Sequence, residues 1–214
     1  MLGVPSPAEK LGLVPASMVA SQLYCEYKVH LDLGRNRPPV PGLSRRIAKR
    51  VVLEESGKGL ARVSVYGEVM GVPIVASPDF AVLDGERVVV VGKTAIREPP
   101  RRLAADMVYL YLSTVLLEEN GLASEGCGMA VVVGRSEGCL EALLRKGVEE
   151  GFKPRKDGCG IVYTEVYRRA EAVGRLYRLL QYWRGERPPE PRPSPSRCAK
   201  CRYKGLCEHS VATT

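Results

Sequence analysis

Apolar side chains recur every four positions at Val19, Leu23, Tyr27 and Leu31, a spacing that predicts a helix over residues 15–31 with Ser17 as its N-cap. Cys25 lies on that helix. A Pro-rich loop follows from Asn36 to Leu43, and helical spacing resumes over Leu43–Glu55. The period then changes. Three runs rich in Val, Ala61–Val69, Val72–Leu83 and Arg87–Thr94, predict strands, divided by Met70-Gly71 and by Asp84-Gly85, a hairpin turn in which both residues tolerate positive φ. Pro100 suits the first turn of a helix that runs to Asn120-Gly121. Beyond it a strand at Gly128–Val133, a helix at Glu137–Glu150, a strand at Gly160–Thr164 and a helix at Tyr167–Arg184 alternate. That order predicts an α/β domain, residues 1–186, with a mixed sheet flanked by helices. After Gly185 the Pro-rich stretch Arg187–Ser196 reads as an extended linker to a short terminal cysteine cluster, so that 187–214 forms a separate segment. The chain has no internal repeat.

Charge adds a partner to this picture. The 32 Lys and Arg against 24 Asp and Glu leave the 214-residue chain at +8, which favours a polyanion such as nucleic acid or an anionic membrane surface. No run approaches the roughly 18 apolar residues of a membrane span, and the N-terminus lacks the order of a signal peptide, so the expectation is a cytoplasmic protein without a membrane partner. Only two Asn and two Gln occur, a depletion of thermolabile amides that points to a hot-living source.

Seven cysteines in a reducing compartment read first as metal ligands or buried thiols, with the disulfide-rich proteins of hyperthermophiles as the exception. Cys198-Ala-Lys-Cys201 followed by Cys207 brings three soft thiolates to one centre, suited to zinc or an iron–sulfur cluster. A fourth ligand is required, and Cys25 is the distant candidate; zinc would need Cys25 or His209. A structural zinc or an oxidised cysteine pair is the plainer alternative. Cys127, Cys139 and Cys159 read as buried thiols.

A cysteine at the end of Ser17-Met-Val-Ala-Ser-Gln-Leu-Tyr-Cys25, joined with Cys198-x2-Cys201-x5-Cys207 after Gly185-Glu-Arg-Pro188-Pro189, resembles the CRISPR-associated four-cysteine exonucleases. These form the Cas-four family, a RecB-like branch of the PD-(D/E)xK nucleases. The resemblance spans nearly the whole chain. It implies a restriction-endonuclease-type sheet and a [4Fe–4S] cluster held by Cys25, Cys198, Cys201 and Cys207, which would clip the N-terminal helix to the C-terminal loop. It also implies DNA as partner, as single strands or ends, and a place beside the CRISPR integrase proteins in spacer acquisition.

Nucleases of this superfamily hold Mg²⁺ or Mn²⁺ between a Pro-Asp motif and a Glu-x-Lys motif. Ser77-Pro78-Asp79-Phe80 matches the first, and Lys93 the end of the second. The glutamate position is Val91, on the same strand face as Lys93 because side chains alternate with period two. The helical histidine of the family has no counterpart in Leu43–Glu55. Of its Gln-x-x-x-Tyr helix, Tyr109 and Tyr111 remain, with Ala105 and Met107 four positions earlier. A divalent ion would therefore rest on Asp79 alone, unless Glu54, Glu55 or Asp106 replaces the missing acid. The catalytic pair so implied, Asp79 and Lys93, reads as degenerate, and hydrolysis as weak or lost. An ion pair of purely structural use is the plainer reading of those two residues. Basic clusters at Arg45, Arg46, Lys49 and Arg50, and at Arg101 and Arg102 beside Tyr109, are the expected DNA contacts; Lys153–Lys156 and Arg168–Arg178 add further positive charge. Two other readings remain: an active Mg²⁺- or Mn²⁺-dependent single-strand exonuclease with a relocated carboxylate, and a zinc-stabilised scaffold that contacts proteins only.

Overall fold

The computed structural model describes residues 6–34, 50–55, 59–96 and 103–212, with the backbone alone for Lys10 and for 50–55. Among these, nine strands form one mixed sheet: β1 (Val14–Pro15), β2 (Arg50–Glu55), β3 (Leu60–Val69), β4 (Val72–Ala76), β5 (Phe80–Asp84), β6 (Arg87–Ile96), β7 (Gly128–Gly134), β8 (Arg155–Lys156) and β9 (Gly160–Val166). Six helices accompany them: α1 (Pro7–Leu11), α2 (Ala16–Gly34), α3 (Leu103–Glu119), α4 (Glu137–Glu150), α5 (Arg169–Trp183) and α6 (Pro195–Ala199). The β3–β4 hairpin closes on Met70 (φ 51°) and Gly71 (φ 82°), two successive left-handed residues whose twist matches that of the flanking strands.

Strand β3 organises the sheet. It is antiparallel to β2, β4 and β5, and Val65 lies between Val51 and Ala76 while Ala61 lies between Glu55 and Ala81. Strands β4 and β5 therefore follow one another along one edge of β3, with β2 on the other. From Ala76 to Ala81 the chain spends one more residue than β3 spends from Val65 to Ala61, so Ser77-Pro78-Asp79 sits on a bulge. Strand β6 is antiparallel to β5 and parallel to β7, and β9 runs antiparallel to β7.

The helix expected over Leu43–Glu55 is corrected at its second half: Arg50–Glu55 is strand, and Leu43–Lys49 lies outside the described residues. The β-branched pair Val51-Val52 suits a strand, and the open edge of β3 offers a ladder that local propensity could not foresee.

Period-two alternation divides the core between the two faces of the sheet. Met129, Val131 and Val133 of β7 enter the larger core, while Ala130 and Val132 enter a smaller one with Phe80 and Leu143 of α4. Every residue of α3 from Met107 to Leu117 is buried, as befits a central helix packed between the sheet and helices α2 and α5. Among the described residues no helix is long and apolar enough to cross a membrane.

Candidate functional site

Helix α2 does not run straight. Cys25 has extended backbone (φ −167°, ψ 113°) and breaks the helix that the sequence predicts to be continuous. A break exposes backbone groups that need other partners. One of them, the Tyr24 carbonyl, accepts a hydrogen bond from Arg197 Nη1 (3.2 Å), and the Tyr24 hydroxyl donates to the Arg197 carbonyl (2.9 Å). The break thus ties α2 to the turn of α6 that carries Cys198.

Ser194 caps α6, and the turns beyond it are closed by Cys201 N–H to Cys198 O (3.0 Å) and Cys207 N–H to Tyr203 O (2.8 Å). These turns fold the terminal trio onto the broken helix. Cys25, Cys198, Cys201 and Cys207 are all free thiols and all line one pocket of about 410 Å³, open to solvent. Its wall also holds Lys28, Arg192, Arg197, Lys204 and His209, and among the described residues no carboxylate lines it. Such a surround favours an anionic centre. Burial first, and then the nearby Cys201, pushes the Tyr24 phenol above its ordinary range. Among the described residues no three His, Cys, Asp or Glu side chains converge tightly enough to hold a metal ion.

Charged and aromatic contacts hold the two chain ends together. Asp32 accepts from Arg202 and from the Tyr203 hydroxyl (2.5 Å), and Tyr27 donates to Glu208 (2.6 Å) while its ring meets that of His209 edge-on at 4.5 Å. Burial pushes the Asp32 carboxyl up, but the hydrogen bonds from Arg202 and Tyr203 outweigh it and hold the group below the usual carboxylate range. Deeper in, Glu26 is only 2% exposed. Arg187 grips it with both terminal nitrogens (2.5 and 2.8 Å), the Glu190 N–H adds a third bond (2.7 Å), and Gln22 a fourth. Gln22 in turn accepts from the Trp183 indole (2.8 Å) and donates to the Leu179 carbonyl (3.3 Å). A buried carboxylate is tolerable when its lone pairs are filled in this way. Sequence reasoning missed this network. The signal was there in two polar residues four apart, Gln22 and Glu26, on a helix whose other buried positions are Ala16, Val19, Ala20 and Val29.

The Pro-Asp motif is assembled differently. Asp79 and Lys93 do meet, at 3.1 Å, and Thr94 fills the other carboxylate oxygen through its N–H (2.7 Å) and hydroxyl (3.0 Å). The Lys93 ammonium lies 4.6 Å from the centre of the Tyr109 ring. Tyr109 is 9% exposed, its hydroxyl accepts from the Ser77 N–H (2.7 Å), and burial pushes its phenol up. Val91 is fully buried between Ala81 and Met129 of the adjacent strands. Beside it, Phe80 lies across Gly92 so closely that a Cβ there would stand 2.0 Å from the ring. Packing therefore closes the glutamate position with hydrocarbon. Among the described side chains the donor set does not fit a divalent ion: one carboxylate, both oxygens engaged, beside an ammonium, while the side chains of the alternative acids Glu54 and Glu55 lie outside the description.

Of the expected DNA contacts, Arg45, Arg46, Lys49, Arg101 and Arg102 lie outside the described residues, and Arg50 is described only as backbone in β2. On α5, Arg169 pairs with Glu118 and Glu119, Arg175 with Glu171 (2.7 Å), and Arg178 with Glu190. Cys127 is buried, and burial pushes its thiol up to about 12, in keeping with an inert core thiol. Cys139 and Cys159 are only partly buried and face each other, which corrects their reading as core thiols. No family model matches the chain, and no curated protein does.

Proposed function

We propose that the chain is an iron–sulfur DNA-binding protein of the RecB-like four-cysteine exonuclease type, acting in CRISPR spacer acquisition with its hydrolytic centre lost or weak. The observation that carries this reading is the meeting of Cys25 with Cys198, Cys201 and Cys207 around one pocket, although roughly 170 residues separate the first from the rest. Four soft donors without a hard one suit iron–sulfur chemistry. The same four cysteines would hold the cluster, which when bound supplies a cross-link and an electron-transfer centre. Lys28, Arg192, Arg197 and Lys204 would offset its negative charge, and Tyr24 and Arg197 keep the helix break in register with α6.

The nuclease half of the resemblance survives only as an Asp79–Lys93–Thr94 cluster that satisfies itself. DNA binding then rests on positive charge and on Lys and Arg contacts to the backbone, which are salt-sensitive and indifferent to sequence.

Anaerobic purification tests the reading. The protein should be brown, absorb at about 400 nm and contain iron and sulfide in equal amounts, and it should bind a labelled single strand with an affinity that falls steeply with added salt. A colourless protein with stoichiometric zinc would replace the cluster with the scaffold reading. Salt-independent binding, or none, would remove DNA.

A further inference from the structure

Two partly buried cysteines away from the pocket, Cys139 and Cys159, stand opposite each other at the border of the smaller core. Cys139 lies in the first turn of α4, where Ser136 caps the helix by accepting from the Cys139 N–H (3.3 Å). Cys159 lies in the tight turn between β8 and β9. Asp157 Oδ1 accepts from the N–H groups of Cys159 (2.8 Å) and Gly160 (3.2 Å), and the Cys159 carbonyl accepts from the Arg135 N–H (3.0 Å). Both backbones are thus fixed by bonds of their own, and the two sulfurs sit 3.0 Å apart.

Two glycines permit the approach. A Cβ at Gly134 would stand 2.6 Å from the Leu140 backbone nitrogen, and one at Gly160 would stand 2.0 Å from the Val133 carbonyl oxygen. Any side chain at either place would push α4 or the β8–β9 turn away from β7. The fold therefore brings these elements to contact distance and sets a thiol on each.

We propose that Cys139 and Cys159 form a redox-active dithiol, which closes to a disulfide by exchange with a low-molecular-mass disulfide and so straps α4 to the β8–β9 turn. The Cys139 thiolate attacks one sulfur of the small disulfide, a mixed disulfide forms, and the first small thiolate leaves. Cys159, having released its proton to solvent, then attacks the Cys139 sulfur and expels the second small thiolate. Two protein thiols are oxidised and one small disulfide is reduced to two thiols, so electrons and protons balance. The roles follow from the surroundings: the hydrogen bond from Cys159, together with Ser136 and the nearby Arg135, holds the Cys139 thiol below its ordinary range, while the same bond pushes Cys159 up.

The experiment is a titration of the full chain in anaerobic buffers of varied thiol to disulfide ratio, followed by alkylation and tryptic mass spectrometry. Cleavage after Arg135, Arg145, Lys156 and Arg168 separates the two cysteines into peptides 136–145 and 157–168. At the oxidising end these should appear joined, two hydrogens lighter than their sum, and the joined peptide should vanish with excess reductant. Cys159→Ser should accumulate the small thiol on Cys139 as a mixed disulfide, and Cys139→Ser should take it up at least tenfold more slowly. The oxidised wild type should also melt about 5–10 °C above the Cys139→Ser/Cys159→Ser protein, because a cross-link over a loop of this size removes unfolded-chain entropy. Two separately alkylated thiols throughout the titration, or small-thiol adducts that never resolve to the joined peptide, would overturn the proposal.

Discussion

The cysteine pocket and the Pro-Asp motif are both built where distant or bulged backbone meets, yet they end in opposite states. Around the cysteines the supporting groups satisfy one another: Glu26 with Arg187, Asp32 with Arg202 and Tyr203, Tyr24 with Arg197. The thiols themselves stay free and face a pocket. At the motif the reverse holds. Asp79, the group that chemistry would need, is spent on Lys93 and Thr94, and the position beside it is filled by Val91. A site remains usable when its scaffold is saturated and its reactive atoms are not; a motif can keep its residues and lose its vacancy.

The sharpest way to break this contrast is Cys25→Ser. The 400 nm absorbance should disappear and stability should fall by about 5 kcal/mol, the chain-entropy value of a cross-link closing so long a loop. Absorbance kept by the variant would detach Cys25 from the centre. Glu26→Ala should cost about 3 kcal/mol in a denaturant titration, since it leaves the mostly buried Arg187 with only the more distant Glu190 carboxylate to balance its charge. It should also make the cysteine centre more labile, which a smaller change would contradict. Asp79→Ala is expected to cost about 1 kcal/mol, because the pair with Lys93 is about a quarter to a third exposed and solvent screens it. Mn²⁺-dependent DNA degradation should not change at all, and a drop in it would restore the enzyme reading.

The smallest effect is one of pH. Asp32 has its carboxyl held below the usual range in the folded state, so it contributes stability above the unfolded value of about 4 and loses it as pH falls through the lower folded value. Asp32→Asn should flatten the acid limb of a stability-against-pH curve below about pH 4, while leaving the neutral plateau slightly lower. An unchanged acid limb would show that the terminal segment is held by other groups.

Much of the fold was legible. The helix over Glu137–Glu150 has its predicted bounds, and the three strands between Ala61 and Thr94 lie where β-branched runs and left-handed turn residues put them, with Val72–Leu83 divided only at the bulge. Strand β2 was not, because its partner edge belongs to another segment. Of the candidate site, spacing marked Cys198, Cys201 and Cys207 as a group and left Cys25 a distant candidate beside His209, and the resemblance implied Cys25 as the fourth ligand. The proximity of Cys139 to Cys159 depends on two glycines whose crowding appears only once β7, α4 and β9 are packed.

What the sequence determined by itself was periodic and local: the alternation of apolar residues along β3, the unbroken apolar run of β7, the largely apolar stretch of α3 from Met107 to Leu117, the Met70-Gly71 turn and the short cysteine spacing at the C-terminus. Each of these follows from side-chain direction along a helix or strand and from the φ that a residue tolerates. Tertiary structure alone decided the break at Cys25, the closed pair at Asp79, the buried Glu26–Arg187 clasp and the sulfur contact between α4 and the β8–β9 turn. All four depend on groups far apart in the chain or on how closely packed elements approach, and the free energy of such contacts exists only after the core has drawn their backbones together.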